Sequence, residues 1–559
     1  MSGSWGTGIR ERLGALGNTH SRGDGGPLDD VLARIRRPLD RAYLRRNGRL
    51  PSLYELGRSR QNLLPAPARA RERVLVLTLR GWPNHAAYES VIAHALALRG
   101  AEVGLLACGG GQPLCELGWS RRAYPRPCDR CAHYSSRILE ASRLPSFRLA
   151  DAFDWGDDGR GAPASAEAVD APGLVDPREA TTISAPWFLR TTNPGTSAEA
   201  RAVAADFDVS AAGVEQAAAR VLDRFQPTVV FMVNGLFAAE HVVRELALAR
   251  GARAPTYEIA PRENALVFGQ EVVAPAFDTN AVWERVADQP LATAQAAALD
   301  RLLTDRARGI GAHESYYDDP EEDLDAIRRE LGIGANQRVV SLYTNLSWDS
   351  AALYQDAAYG SMLDWVEAAV RSVSGLPETV LVVRIHPAEA RWGTREHVRE
   401  TVERRIDHLP ANVRFIEAEQ AISSYTLLDL SDLVLAYTST IGLEGATRGL
   451  PVAVAGLTHY RGRGFTLDVS SHSELEAALA EPPPVSPETV ERARRYAFTF
   501  FFRAMIPFPV IQMVNGRPVT VPSTIEDLMP GRDPYLDFVC ERILDGGDFT
   551  LPDELAVPA

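Results

Sequence analysis

The stretch Leu430–Thr466 reads LSDLVLAYTSTIGLEGATRGLPVAVAGLTHYRGRGFT, and its reading decides the fold. Leu433-Val434-Leu435-Ala436 is a short apolar run, fit for a strand buried on both faces of a parallel sheet. Thr438-Ser439-Thr440 follows at once, and Ile441 to Thr447 has helix-forming spacing that Gly449-Leu450-Pro451 ends. Val452-Ala453-Val454-Ala455 then supplies the next strand. A strand that turns through small hydroxyl residues into a helix exposes backbone N–H groups and the positive end of a dipole, which suits an anion. An ordinary α/β crossover with a hydroxyl cap fits the same residues. Glu444, near the helix start, is placed either to cap N–H groups or to hold ribose hydroxyls.

Working outward, the same strand-then-polar-loop pattern recurs between 335 and 480. Arg338–Tyr343 predicts a strand that ends in a loop carrying Asn345 and Asp349. Thr379–Ile385 predicts another, with Arg384, His386 and Glu389 at its end. Val413–Ile416 leads to Ser423-Ser424-Tyr425 at a helix start. In a parallel sheet these loops share the carboxyl edge, where ligands bind. Arg384 there suits a fork donor and His386 a hydrogen-bond donor or acid, together a clamp for a diphosphate.

A second set of strands precedes this one. Arg73–Leu79 reads as a buried strand, followed by a loop with His85, a helical pattern to Gly100 and a strand at Val103–Ala107. Thr228–Val233 is a further strand ending in Asn234-Gly235, and Pro255–Ile259 one that carries Glu258. His85, Asn234 and Glu258 therefore fall on one edge of a first sheet, as candidate acceptor-side groups with His85 or Glu258 as base. A surface-loop histidine, an Asn-Gly turn and a solvated carboxylate are the bland alternatives.

The organisation expected is an arm at 1–72, a first Rossmann-like domain at 73–280 and a helical linker at 281–334. A second Rossmann-like domain at 335–480 and C-terminal helices and tail at 481–559 complete it. Within the arm, Val31–Arg46 is the helical candidate, a solvated amphipathic face with an arm drawn to anionic lipid as the alternative. Residues 151–180, rich in Asp, Gly and Ala, read as a surface insertion, and Asp318–Asp323 as a solvated helix start. The spacing Cys108-x6-Cys115-x12-Cys128-x2-Cys131 leaves open a structural zinc or buried thiols, while Cys540 reads as packing.

Composition narrows the chemistry. All 59 basic residues are Arg, which excludes a Walker-type phosphate loop, a Schiff base and a pyridoxal anchor. The net charge of −14 disfavours nucleic acid as a partner. With no long apolar run and no signal-like N-terminus, the expected location is cytoplasmic, with peripheral attachment at the inner membrane face left open.

The series TNLSWD, RIHPAE, ISSY, DLVLAYTSTIGLEGATRGLPVAVAG and HYRGRGFT resembles the capsular polysaccharide synthesis family, which includes Kdo-transferase-like proteins. The His-Pro and Ser/Thr pairs also resemble nucleotide-binding motifs of bacterial sialyltransferases. The resemblance implies a GT-B arrangement, two Rossmann-like domains facing across a cleft, with the nucleotide mostly on the second. It implies a glycosyltransferase that uses a nucleotide-activated sugar, CMP-linked in one version, and a glycan or lipid-linked acceptor. Donor contacts fall on Asn345, Asp349, Arg384, His386, Ser423, Ser424, Thr438, Ser439, Thr440 and Glu444. No cofactor is expected for the chemistry. The Asp/Glu-Asp-Gly motif of one sialyltransferase group is absent, as is an evident Asp-x-Asp donor site. A polyol-phosphate transferase, a UDP-sugar 2-epimerase and a non-catalytic polysaccharide-assembly protein are the competing readings.

Overall fold

The structure is a computed structural model that describes residues 49–61, 72–119, 127–155, 161–163, 175–192, 197–311, 316–317 and 320–557. The helix expected over 31–46, Asp318, Asp319 and much of the 151–180 insertion lie outside the described residues.

Two parallel sheets organise the chain. The first takes β1 (Arg73–Leu77), β2 (Glu102–Ala107), β3 (Ser146–Arg148), β4 (Val229–Val233), β5 (Thr256–Ile259) and β6 (Ala265–Gly269). The second takes β7 (Arg338–Tyr343), β8 (Thr379–Arg384), β9 (Val413–Ile416), β10 (Leu433–Ala436), β11 (Val452–Val454) and β12 (Leu467–Asp468). A late strand, β13 (Ile506–Pro507), returns to the first sheet. The orders are β13-β6-β5-β4-β1-β2-β3 and β9-β8-β7-β10-β11-β12. Every pairing in the second sheet is parallel, and so are those from β5 through β3 in the first. The expected pair of Rossmann-like domains is the observed architecture.

The apolar runs form strands because helices cover both faces of each sheet. β4 and β10 have no exposed residue. The second sheet reverses direction between β7 and β10, which pair from Val340↔Leu433 to Tyr343↔Ala436. At such a reversal the loops leaving the two central strands turn to opposite faces and leave a crevice between them.

Three features complete the fold; the sequence points to the second, a Pro-rich, aromatic tail at 504–559 that packs back over the first domain, and not to the other two. The first sheet ends in an antiparallel edge, with β6 pairing back on β5 and β13 on β6. The C-terminal segment thus belongs structurally to the first domain, where Leu536, Val539, Cys540 and Ile543 of helix Pro534–Asp545 are buried. The described end of the arm is docked as well. Helix Leu50–Gln61 buries Leu53 and Leu56, and Tyr54 Oη donates to Glu140 at 3.0 Å.

The linker is pinned by charge. Arg306, at the end of helix Thr293–Ala307, donates through Nη2 to Glu444 Oε1 at 2.9 Å and through Nη1 to the Pro261 carbonyl at 3.3 Å. It therefore touches the second domain's helix Ile441–Thr447 and the first domain's loop after β5 together. Both side chains are almost fully buried, at 8% and 2% exposure. Removing one partner of a buried pair strands the other charge, at a cost of about 3–5 kcal/mol. Glu444→Gln should accordingly lower the thermal unfolding midpoint sharply, and Arg306→Met with Glu444→Leu should recover most of it. A Glu444→Gln protein that melts with the parent would show the pair holds nothing together.

Candidate functional site in the interdomain crevice

The carboxyl edges of the two sheets face each other. Trp187, on the segment ahead of helix Ala198–Phe225, meets Trp348 of the loop after β7 with ring centroids 6.1 Å apart. The Arg190 guanidinium sits between them, 3.8 Å from the Trp187 ring and 4.1 Å from that of Trp348. Thr191, Thr192 and the Thr192 N–H all donate to Glu396 Oε2 from across the gap. Trp348 is fixed in turn by its indole N–H to Thr394 Oγ1 at 3.0 Å.

Two carboxylates approach from opposite sides of this seam. Glu258 comes from β5 of the first domain and Asp349 from the loop after β7 of the second. Burial pushes the Glu258 carboxyl up to about 7; the Asp349 charge adds to the rise, while the Ile259 N–H and Asn234 oppose it. Asp349 is also raised by burial, against the N–H groups of Ser350 and Ala351, the Arg190 charge and a Trp187 hydrogen bond. Both are half-buried. Burial lowers Arg190 to about 10, with Asp349 opposing the fall. Its Nη1 is enclosed without a hydrogen-bond partner. Buried polar atoms are nearly always partnered, so such an atom asks for an explanation.

His85 and Asn234 stand by this edge in supporting positions. His85 Nδ1 lies 3.1 Å from Tyr257 Oη, which donates to Glu89 Oε1 at 3.1 Å. Burial raises Glu89 to about 8, so the chain His85–Tyr257–Glu89 ends in a carboxylic acid at neutral pH. Asn234 is held at a φ of +28 with its Oδ1 accepting from the Leu236 N–H, and also bonds Glu258. Beneath the loop after β1, buried Arg80 is clamped by Glu116 and Glu240, while Ser184 Oγ donates to Glu116 Oε1 at 2.6 Å.

On the second domain, unpartnered polar atoms gather where the sheet reverses. Asn345 Oδ1 and Ser347 Oγ follow β7, Thr438 Oγ1 follows β10, and His459 Nε2 lies beyond β11; each is buried with no protein partner. Ser439 Oγ accepts weakly from the Ile441 N–H at 3.4 Å, and its carbonyl accepts from Tyr460 Oη at 2.6 Å. Thr440 occupies the helix cap without a side-chain cap bond.

His386 Nδ1 accepts from the Ala388 N–H at 3.1 Å, which fixes Nε2 as the protonated nitrogen. Burial, with the Arg384 charge adding, lowers this imidazole to about 4. At neutral pH it is a hydrogen-bond donor, and the acid role is corrected.

Three other expectations change. Arg384 is not an open fork. Its guanidinium donates to the Glu417 carbonyl at 2.9 Å, the Ile422 carbonyl at 3.2 Å and Tyr317 Oη at 3.1 Å. Ser423 spends its hydroxyl as an N-cap for the Thr426 N–H at 3.3 Å, and Ser424 offers its carbonyl to Tyr343 Oη at 3.0 Å. Glu444 gives Oε1 to Arg306 rather than to a helix N–H, and its Oε2 is buried with no hydrogen-bond partner. Cys108, Cys115, Cys128 and Cys131 line a separate cavity. No group of three or more described His, Cys, Asp or Glu side chains stands assembled to hold a metal ion.

Arg190 and Trp187 were not singled out from the sequence, and Trp348 and His459 entered only inside the TNLSWD and HYRGRGFT motifs. The one available signal for the first two was an aromatic-Arg cluster, WFLR at 187–190, behind a polar insertion.

Residues 307–489 match the family model described as Capsule polysaccharide biosynthesis protein. No curated protein matches the chain. Among solved structures the chain is similar to Thermosulfurimonas dismutans KpsC, beta Kdo 2,4 transferase, at 16% identity, covering 54% of this chain and 87% of that one with a TM-score of 0.35. It is also similar to the S. aureus MnaA-UDP co-structure, at 11% identity, 76% and 91% coverage and a TM-score of 0.28. The Neisseria meningitidis UDP-GlcNAc 2-epimerase bound to UDP-GlcNAc gives 12% identity, 76% and 98% coverage and a TM-score of 0.25. With every TM-score below 0.5, these likenesses decide nothing about activity.

Proposed function

We propose, on the match of residues 307–489 to the family model described as Capsule polysaccharide biosynthesis protein, that the chain is a glycosyltransferase that moves a sugar from a nucleotide-activated donor to a glycan or lipid-linked acceptor. As a consumer of such donors it would work in the cytoplasm. The observation that carries the reading is Glu258, a carboxyl raised to about 7 in a crevice between two domains. A base poised near the working pH combines a useful deprotonated fraction with useful basicity. Glu258 takes the proton of the acceptor hydroxyl as the sugar's bond to the nucleotide phosphate breaks.

The leaving phosphate is met from the second domain. His386 supplies a neutral N–H, and the Thr438–Thr440 turn supplies hydroxyls and backbone donors. Such donors need no reorganisation as charge develops on the leaving oxygen. Arg190 brings the cationic charge to the seam, with Asp349 restraining it. The flat guanidinium between two indoles keeps one orientation, and its unpartnered Nη1 gives an anionic donor group a bond to complete.

Two variants test these roles. Glu258→Gln should reduce kcat roughly 10²–10⁴-fold, and the parent's rate should rise with pH through about 7, a limb the variant lacks. The sign for stability is opposite. The folded carboxyl binds its proton more tightly than the unfolded one, so stability falls as pH rises from the ordinary carboxylate range toward 7. Glu258→Gln should therefore melt no lower than the parent at pH 8 while being inactive. A variant with parental kcat removes the base. Arg190→Met keeps the bulk between the indoles and deletes the charge. Losing a charge-assisted bond of ~1.5–3 kcal/mol should weaken donor binding roughly ten- to a hundredfold, measured calorimetrically across CMP-, UDP- and GDP-sugars. Unchanged affinity for the donor that binds places the anion elsewhere. Donor consumed without any acceptor would turn the assignment toward an epimerase.

A further inference from the structure

Cys108, Cys115, Cys128 and Cys131 come from three separate elements to line one cavity, which Arg80 and Gln112 also line. Cys108 follows β2, Cys115 lies on the short strand Leu114–Cys115, and Cys128 and Cys131 stand in the first turns of helix Pro127–Ser142. No disulfide joins any of them. Four thiols lining one cavity from a span of C-x6-C-x12-C-x2-C is more than burial requires, since a cavity wall can be made from any small apolar residue.

Two of the sulfurs accept hydrogen bonds, while the Cys115 thiol donates to the Gly118 carbonyl at 3.8 Å. The Gly81 N–H donates to Cys131 Sγ at 3.1 Å, and Gln112 Nε2 to Cys108 Sγ at 3.6 Å. Donors aimed at sulfur hold a thiolate's orientation and tune its charge in zinc and iron–sulfur centres. Gly109 and Gly110 follow Cys108 with φ of +65 and +87, folding the chain into a knuckle beside the sulfur. The pair at 128 and 131 has the two-residue gap of metal-binding hairpins.

We propose that these four cysteines form a tetrathiolate site for a thiophilic metal centre, zinc or an iron–sulfur cluster. The thiols line the cavity walls at separate points, so loading turns their side chains inward. The centre would tie the strand end at Cys108, the Cys115 hairpin and helix Pro127–Ser142 to the Arg80-Gly81 loop. That loop leads into the helix bearing His85, so the metal would brace the acceptor side of the crevice. The proposal stands independently of the transfer chemistry.

The test is elemental analysis and visible absorption of the full chain, purified anaerobically without added metal. Reconstitution with zinc, with cobalt(II), and with ferrous iron plus sulfide follows. About one zinc per chain, or intense thiolate-to-cobalt absorption, supports the zinc form; iron with equimolar sulfide supports the cluster. Cys128→Ser with Cys131→Ser should lose most of the metal, and Cys540→Ser should keep it. Should the double variant fail to fold, the parent's stoichiometry and a thiol titration before and after chelation still decide. Folded parent protein that stays metal-free after all three reconstitutions, or that forms a disulfide among these residues in place of binding, overturns the proposal.

Discussion

In a parallel sheet every strand releases its chain at the same edge, because each crossover must carry the chain back before the next strand begins. That constraint assembles this molecule's polar residues. Thr344–Asp349, His386–Glu389 and Tyr437–Thr440 are far apart in sequence and adjacent in space because β7, β8 and β10 run in register. The first sheet applies the same rule to Arg80–His85, Asn234 and the end of β5. Two edges so built and turned toward each other make a crevice lined with groups that the sheet interiors could not tolerate.

The crevice has a division of labour set by burial and charge. Groups that must stay charged in low dielectric are held in buried ion pairs: Arg80 with Glu116 and Glu240, Arg306 with Glu444. Groups on its walls have fewer partners and shifted protonation. Glu258 near 7 lies on the first domain, backed by buried Glu89 near 8, while His386 near 4 is a neutral donor at pH 7 on the second. An acceptor side that handles protons and a donor side that offers hydrogen bonds is the arrangement a group transfer between two substrates needs. Arg190 and Asp349 meet at the boundary, opposite charges contributed by the two domains.

Much of this was legible in the residues, for reasons that can be named. Leu430–Thr466 announced strand, turn and helix because its apolar run is too short for a helix and its Gly-Leu-Pro ends one. The His386 position was readable as a strand end; its protonation was not, because burial is a property of the assembled fold. Arg384 misled for a related reason. It is the last residue of β8, and nothing local says whether such a side chain turns to the crevice or inward to the carbonyls of Glu417 and Ile422. The edge formed by β6 and β13 was invisible since Ala265 pairs with Pro507, a partner no local pattern points to. Arg190 was silent because its meaning comes from Trp348 on the other domain.

The central claim is that donor and acceptor meet between the two carboxyl edges. Hydrogen–deuterium exchange of the full chain, with and without the nucleotide sugar it binds, tests this most directly, since local protection reports where a ligand quiets the backbone. The account predicts new protection at 344–351, 386–390 and 437–442 on the second domain, together with slower exchange at 187–192 as the ligand holds the indole-guanidinium seam. Protection confined to the outer helices, or to one domain with the 187–192 segment unchanged, would contradict it.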